Sequence, residues 1–271
     1  MDGEWRRDGE FHSLRAPSSH LRGPGLVEVL APRDLPDDRA APTVYVLPVE
    51  RDGQTRFGDG LREIARLGLH ESRGIRCVSM SFDEWPWFGA HATDPRVRHE
   101  DHLLEVVLPT VEARFASQAR LLLGFSKSGW GALSLIFRNP DRFGCAVSWD
   151  APLMLDASGY EAFYTGAHFG TLERFLDFRP LVSARASAHR FRESERVAVL
   201  GYDAFGTQKA PGGRDHTQAF HEELDALGIP HVFRNDLTFA HRWDSGWLPQ
   251  ALEILLDLYR RERSGAPGNR P

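Results

Sequence analysis

The fold is decided by one stretch of the sequence, Leu121-Leu122-Leu123-Gly124-Phe125-Ser126-Lys127-Ser128-Gly129-Trp130-Gly131-Ala132. An apolar run ends at a glycine, a serine follows two residues later, and a helical pattern continues to Asn139-Pro140. This order predicts a strand, a sharp turn and a helix, with Ser126 at the apex. A serine there has strained backbone, so the residues two positions away must be small, as Gly124 and Ser128 are. We interpret the stretch as a nucleophile elbow that exposes the Ser126 hydroxyl above the sheet.

A pattern of glycine, serine and a small residue also arises by chance in a chain with 25 glycines, so the motif alone does not decide the interpretation. The residues that follow the turn strengthen it. Gly129 and Gly131 allow close packing of the helix on the sheet, and Pro140 ends the helix. The usual pattern has glycine where this chain has Ser128. The first N–H groups of the helix should point to the same spot as the hydroxyl, where they can stabilise an oxyanion.

Composition indicates an ordinary globular protein, and since α/β proteins of 271 residues are commonly single domains, we expect one domain over residues 1–271. Hydrophobic residues make up 41% and charged residues 26% of the chain, and the net charge of −5 argues against binding to nucleic acid. No apolar run reaches the roughly 18 residues that a membrane span needs. The polar start of the chain lacks the apolar core of a signal peptide, and Cys77 and Cys145 lie in apolar runs typical of free thiols. These features predict a cytoplasmic protein without a membrane partner.

Strands and helices alternate along most of the chain, which predicts a mostly parallel sheet covered on both faces. Two short strands, 10–14 and 26–30, come first. Later strands are predicted at 43–47, 75–82, 121–125, 143–149, 196–200 and 231–234, and helices at 61–69, 98–115, 127–139, 215–227 and 245–259. Pro109 should kink or split the second helix. The tail 260–271 should be frayed.

Residues 153–193 interrupt this alternation with seven aromatic side chains among glycines and charges. We predict a partly helical cap that is inserted between two strands whose ends face the active site. Trp85, Trp87, Trp130 and Asp150 are predicted to line the substrate pocket together with aromatic residues of this cap.

Two further residues complete the chemistry that Ser126 needs. Asp203 follows the strand 196–200, and His241 lies in the loop before the last helix, so serine, acid and histidine occur in the order of an α/β-hydrolase. His241 would be the general base, and Asp203 would fix its tautomer. Asp150 is a rival for the acid, because it also follows a strand. The run His99-Glu100-Asp101-His102 does not have the spacing of a zinc motif, and we interpret it as a solvated helix face.

With these residues, the chain resembles the Putative esterase family of α/β-hydrolases, which includes esterase-D-like enzymes, feruloyl and acetylxylan esterases and mycolyltransferases. The resemblance covers roughly residues 15–260. It rests on the segments Val44–Leu47, Gly124–Leu133, Asn139–Phe143 and His241–Trp243, and on Trp247.

The resemblance implies that Ser126 is the nucleophile, His241 the base and Asp203 the acid. It also implies that the backbone N–H groups of Lys127 and Glu50 form the oxyanion hole. Departures from the family pattern are Ser128, Pro48-Val49 and the segment Ser148–Pro152.

We therefore expect a serine hydrolase that cleaves a small-molecule carboxylic ester through an acyl-enzyme, without a cofactor or a metal ion. The closest alternative is an acyltransferase, which differs only in the nucleophile that reaches the acyl-enzyme. From a different class, the fold could serve as a non-catalytic binding module.

Overall fold

The computed structural model of the protein describes residues 4–202, 210 and 213–265. Its central element is a sheet of nine strands in the order β1-β2-β3-β5-β4-β6-β7-β8-β9. In chain order the strands are β1 Arg6–Asp8, β2 Phe11–Ala16, β3 Gly25–Leu30, β4 Ala41–Leu47, β5 Arg76–Met80, β6 Ser117–Phe125, β7 Cys145–Trp149, β8 Val197–Leu200 and β9 His231–Arg234.

The first three strands run antiparallel, whereas β5, β4, β6, β7, β8 and β9 are parallel to one another. The predicted α/β architecture with a mostly parallel sheet is therefore confirmed. Phe125 lies opposite Trp149 on β7, and Trp149 lies opposite Leu200 on β8. Because parallel strands end at the same edge, the residues that follow these three strands lie side by side.

Helices cover both faces of the sheet. They are α1 Gly60–Arg66, α2 Leu69–Arg73, α3 His99–Asp101, α4 Leu108–Glu112, α5 Lys127–Arg138, α6 Ala157–Ala162, α7 Gly166–Phe169, α8 Leu172–Asp177, α9 Pro180–Ser187, α10 His216–Ala226 and α11 Leu248–Ser264. Short 3₁₀ turns occur at Ala188–Arg190 and Trp243–Ser245. None of the described helices is long and apolar enough to cross a membrane.

The two faces carry separate hydrophobic cores, because side chains alternate along each strand. On β6, Leu121, Leu123 and Phe125 pack in the core that includes α1 and α11, whereas Leu122 faces the core of α5 and the 153–193 insertion. Helix α5 is buried along nearly its whole length between the sheet and the insertion. The serine turn that precedes α5 is thus fixed from both sides.

Two predicted elements differ from the observed ones. The helix expected over 98–115 is divided, and a π-helical segment, His102–Val107, joins α3 to α4, where Pro109 lies in the first turn. A π turn accommodates the proline because it relaxes the regular hydrogen-bond ladder. The tail is ordered further than expected, since α11 continues to Ser264 with Arg261 bound to Glu195 at 2.7 Å.

Candidate active site

The turn between β6 and α5 holds Ser126 in a strained conformation. Its φ is 54° and its ψ is −128°, a combination that costs an L-residue about 1–3 kcal/mol. The Ser126 N–H donates to the carbonyl of Trp149 on β7 at 2.9 Å, and its carbonyl accepts from the Trp130 N–H at 3.1 Å. A Cβ on Gly124 would overlap the backbone of Ser128, so this position requires glycine. The turn has the backbone that the sequence predicted.

Ser128 takes the place of the usual glycine without opening the turn. Its Oγ donates to the carbonyl of Phe125 at 2.9 Å and accepts from the Phe125 N–H at 3.0 Å. The side chain is fully buried. Because the hydroxyl folds back onto the backbone, it stabilises the turn and does not compete with Ser126 for the open side.

His241 joins Ser126 to a buried carboxylate. Its Nε2 lies 3.0 Å from the Oγ of Ser126, and its Nδ1 lies 2.6 Å from Oδ2 of Asp150. A carboxylate only accepts hydrogen bonds, so Nδ1 carries the proton and Nε2 accepts from the Ser126 hydroxyl. This is the tautomer that a general base for Ser126 needs.

Among the described residues, the acid in contact with His241 is Asp150, which directly follows β7. Its φ is 47°, and its N–H donates to the carbonyl of Leu200 at 2.8 Å. A Cβ on Gly201 would lie 2.7 Å from the Asp150 nitrogen, so this turn depends on a glycine of the next strand end. Asp203, which the sequence favoured as the acid, lies outside the described residues.

The loop that carries His241 is held by contacts to the segment before α1. The Trp243 N–H donates to the carbonyl of Phe57 at 2.8 Å, and the Arg242 guanidinium donates to the carbonyl of Arg56 at 2.8 Å. The imidazole packs against the ring of Phe125, with centroids 4.5 Å apart, and against Phe57 at 5.7 Å. These contacts fix the orientation of the imidazole.

A cavity of about 610 Å³ opens above Ser126. Its apolar walls come from Phe57, Trp85, Ala151, Pro152 and Phe163, and its polar lining residues are Glu50, Gln54, Thr55, Arg56, Ser126, Lys127, Asp150, His216 and His241. Trp85 and Asp150, which the sequence predicted for a substrate pocket, thus both line this cavity. A volume of this size suits a small molecule with an apolar part.

Trp87 and Trp130 do not line this cavity, contrary to the prediction. Both are almost completely buried, and their rings meet edge to face with centroids 5.6 Å apart. Trp130 points from α5 into the insertion, where it stacks on Phe175 at 6.2 Å. Helix periodicity turns this residue away from Ser126, which a motif alone does not reveal.

The insertion is helical, as predicted, but most of its aromatic residues form core. Phe163 lines the cavity, whereas Phe169, Phe175, Phe178 and Phe191 are fully buried in the core beside α5. Tyr164 is 81% exposed. Only one side of the insertion therefore faces the cavity that contains Ser126 and His241.

The two N–H groups predicted for the oxyanion hole belong to residues that line the cavity. Lys127 is the first residue of α5, whose initial N–H groups have no partner within the helix. Among the described residues, neither the Lys127 N–H nor the Glu50 N–H donates to any acceptor. The carboxylate of Glu50 accepts from the Phe57 N–H at 2.9 Å, which holds this loop in place.

The side chain of Lys127 also enters the cavity. Its Nζ lies 4.2 Å from the centroid of the Trp85 ring. Burial lowers the pKa of this amine to about 8, although the nearby charge of Glu50 acts in the opposite direction. A lysine next to the serine was not singled out for its side chain in the sequence, because only its backbone belongs to the motif.

The run His99-Glu100-Asp101-His102 is not a solvated face. His99, Glu100 and His102 are buried, and Glu100 accepts from Arg138 and Asn139 on the end of α5. Burial lowers the pKa of His99 to about 3 and that of His102 to about 4. In the described ranges, the groups with metal-ligand geometry are Glu10-His70-Glu71 and His221-Asp225-His231, neither of which lines the cavity.

The chain also matches a known protein family. The family described as Putative esterase matches residues 81–201, a segment that includes the serine turn, the Asp150 turn and the insertion. The resemblance to the Putative esterase family is confirmed. The match supports an activity on esters, and His241 lies beyond the matched segment. A comparison with curated protein sequences finds no significant match.

Solved structures confirm the α/β-hydrolase fold. MPT51 (FbpC1) of Mycobacterium tuberculosis superposes with a TM-score of 0.71 at 19% identity, over 93% of this chain and 99% of that one. A ferulic acid esterase gives 0.64 at 16% identity, over 96% and 99%. An S-formylglutathione hydrolase from Agrobacterium tumefaciens gives 0.57 at 13% identity, over 98% and 99%. At these identities the likeness to each structure shows the fold alone.

Proposed function

We propose that the protein is a serine hydrolase that cleaves a carboxylic ester through an acyl-enzyme. The observation that carries the proposal is the bridge of His241 between the Ser126 hydroxyl, at 3.0 Å, and the Asp150 carboxylate, at 2.6 Å, at the floor of a cavity. The match to the Putative esterase family supports the same reaction class.

In the first half of the reaction, the Ser126 oxygen attacks the ester carbonyl carbon while Nε2 of His241 takes its proton. The imidazolium that forms is stabilised by Asp150, which is only 4% exposed, so little water screens the interaction. The carbonyl oxygen becomes an oxyanion and accepts from the N–H groups of Lys127 and Glu50. The bond to the alcohol oxygen then breaks, and His241 returns its proton to the departing alcohol.

In the second half, water attacks the acyl-enzyme as His241 again removes a proton. The new oxyanion collapses, the bond to Ser126 breaks, and His241 gives the proton back to the serine. The free acid leaves, and the resting state is restored. The proton transfers use Ser126, His241 and Asp150, which already lie within hydrogen-bond distance of one another, so these transfers need little rearrangement.

The walls of the cavity indicate the substrate's shape. Phe57, Trp85 and Phe163 offer ring surfaces beside Ser126. An acyl or alcohol part with an apolar or aromatic portion would bury there and gain roughly 25 cal/mol for each Å² removed from water. The proposed substrate is thus a small ester with at least one apolar side.

A fluorophosphonate probe tests the proposal, because only an activated serine reacts with it. We expect the protein to be labelled at Ser126 and Ser126→Ala to be inert. The same variant should lose about 10⁶-fold in kcat on an aryl ester, since without the nucleophile its general base His241 has no serine proton to remove.

Ser128→Ala is the matched control in the same turn, and it should still be labelled. An unlabelled wild-type protein would instead support the binding-module alternative. Labelling that persists in Ser126→Ala would place the nucleophile elsewhere.

A further inference from the structure

The side chain of Lys127 is a charged group at the reacting centre that the proposed mechanism does not use. The residue directly follows Ser126 and lines the same cavity. Its aliphatic stem is partly buried, and its Nζ lies over the face of Trp85 at 4.2 Å. The ring thus holds the amine at one wall of the cavity through a cation–π contact.

The donors of this amine have no acceptor among the residues that the structure describes. Within the described ranges, Lys127 forms neither a side-chain hydrogen bond nor an ion pair with any carboxylate. An ammonium group has three N–H donors, and removing it from water without acceptors is costly. A ligand that brings oxygen acceptors into the cavity would recover this cost.

The charged neighbours do not supply that acceptor. Glu50, in the loop after β4, lies near enough to influence Lys127, but its carboxylate is engaged by the Phe57 N–H. Asp150 is engaged by His241. His168 on α7 stays neutral, because burial and the nearby charge of Lys127 lower its pKa to about 4.

We propose that the Lys127 amine binds a carboxylate of the substrate, so that the site prefers esters carrying a carboxylate a few bonds from the scissile carbonyl. The inference rests on the proposed function. It adds a specificity-determining side chain to a residue whose backbone N–H is assigned to the oxyanion hole. Trp85 and Phe57 would enclose the apolar atoms between the two functional groups of such a substrate.

This role has a signature in pH. The amine is charged below its pKa of about 8 and neutral above it. A preference that depends on the ammonium is therefore complete well below pH 8 and disappears as the pH rises through that value. The other titratable groups that line the cavity are Glu50, Asp150, His216 and His241, with Arg56 at its rim, and their effects on the reacting groups act on charged and neutral esters alike.

The experiment compares size-matched pairs of aryl esters. In the first pair, an aryl hemisuccinate carries the carboxylate on its acyl side, and an aryl butyrate lacks it. In the second pair, a carboxyphenyl butyrate carries the carboxylate on its alcohol side, and a phenyl butyrate lacks it. The measured quantity is the ratio of kcat/KM for the charged over the neutral member, between pH 6 and pH 10.

For wild-type protein we expect one pair to show a ratio about tenfold higher at low pH than at high pH, with a midpoint near 8. Lys127→Met keeps the backbone N–H and the stem, and should lower that ratio to its high-pH value at every pH. Arg56→Gln is the matched control, because this exposed cation lies at the same cavity and is screened by water.

A ratio in wild-type protein that does not change with pH for either pair would overturn the inference without any variant. So would a larger loss of the ratio in Arg56→Gln than in Lys127→Met. These outcomes leave the proposed hydrolase intact, since both esters of a pair are still cleaved. Failure of the proposed function would instead appear as no cleavage of any ester.

Discussion

The turns at Ser126 and Asp150 are alike in backbone φ and in hydrogen-bond pattern, and they lie at the ends of neighbouring strands. Both residues have positive φ, 54° and 47°. Each donates its N–H to the last carbonyl of the next strand, Ser126 to Trp149 and Asp150 to Leu200. Both side chains therefore emerge at the same edge of the sheet, one strand apart, where His241 can contact them together.

The two turns differ in what supports them. The Ser126 turn is supported from within its own segment, because Gly124 leaves room for the backbone of Ser128 and the Ser128 hydroxyl bonds to Phe125. The Asp150 turn is supported from outside, by Gly201 at the end of β8. A turn with local supports leaves a short pattern in the sequence, whereas one supported by a distant glycine leaves none.

Among changes that leave Ser126 in place, the largest effect should come from removing the charge at the Asp150 turn. Asp150→Asn keeps the shape but leaves His241 in the wrong tautomer, so kcat on an aryl ester should fall about 10⁴-fold. Asp203→Asn is the matched change at the next strand end, and its loss should be much smaller. Steady-state kinetics of both variants decide between them; a heavier loss in Asp203→Asn would return the role of the acid to that residue.

The insertion that begins after the Asp150 turn has some aromatic residues in the cavity wall and others in the hydrophobic core. Phe175→Ala should lower the free energy of unfolding by about 3–5 kcal/mol, because this fully buried ring packs on Trp130. Phe163→Ala, in the cavity wall, should instead change kcat/KM among esters of different bulk with a smaller loss of stability. Denaturant unfolding and an ester panel measure the two effects, and equal stability losses would contradict the division.

The external support of the Asp150 turn can be tested at Gly201. Gly201→Ala adds a Cβ 2.7 Å from the Asp150 nitrogen at a φ of 101°, so we expect a loss of about 1–3 kcal/mol in stability together with reduced kcat. Gly228→Ala is the control, because that glycine also has positive φ, 65°, but an added Cβ there meets nothing. If both variants retain full activity, the turn does not depend on Gly201.

The smallest effect is expected from the internal support of the Ser126 turn. Ser128→Ala leaves the buried N–H of Phe125 without its acceptor and should cost about 1–3 kcal/mol of unfolding free energy, with most activity kept. Ser134→Ala, also buried on α5, removes only a donor to the carbonyl of Phe178 and should cost less. The reverse order in thermal or denaturant unfolding would mean that the Ser128 hydroxyl does not hold the turn.

The sequence by itself determined the elements that depend on neighbours along the chain. The strand, turn and helix around Ser126 follow from an apolar run, two small residues and a helix stop within one short segment. The end of strand β6 and both ends of helix α5 were predicted to within one residue for the same reason, whereas β6 begins four residues earlier than predicted, at Ser117. His241 was singled out because it lies in the loop before the last predicted helix, where the order of strands and helices predicts the histidine.

Only the tertiary structure decided which groups meet. Asp150 follows a parallel strand, and its contact with His241 depends on strand order, on register and on a turn held by Gly201. The separation of Trp85 in the cavity from Trp87 and Trp130 in the core depends on the direction of each side chain from its element. Such distances are set by packing between segments far apart in the chain, and a pattern of neighbouring residues does not contain them.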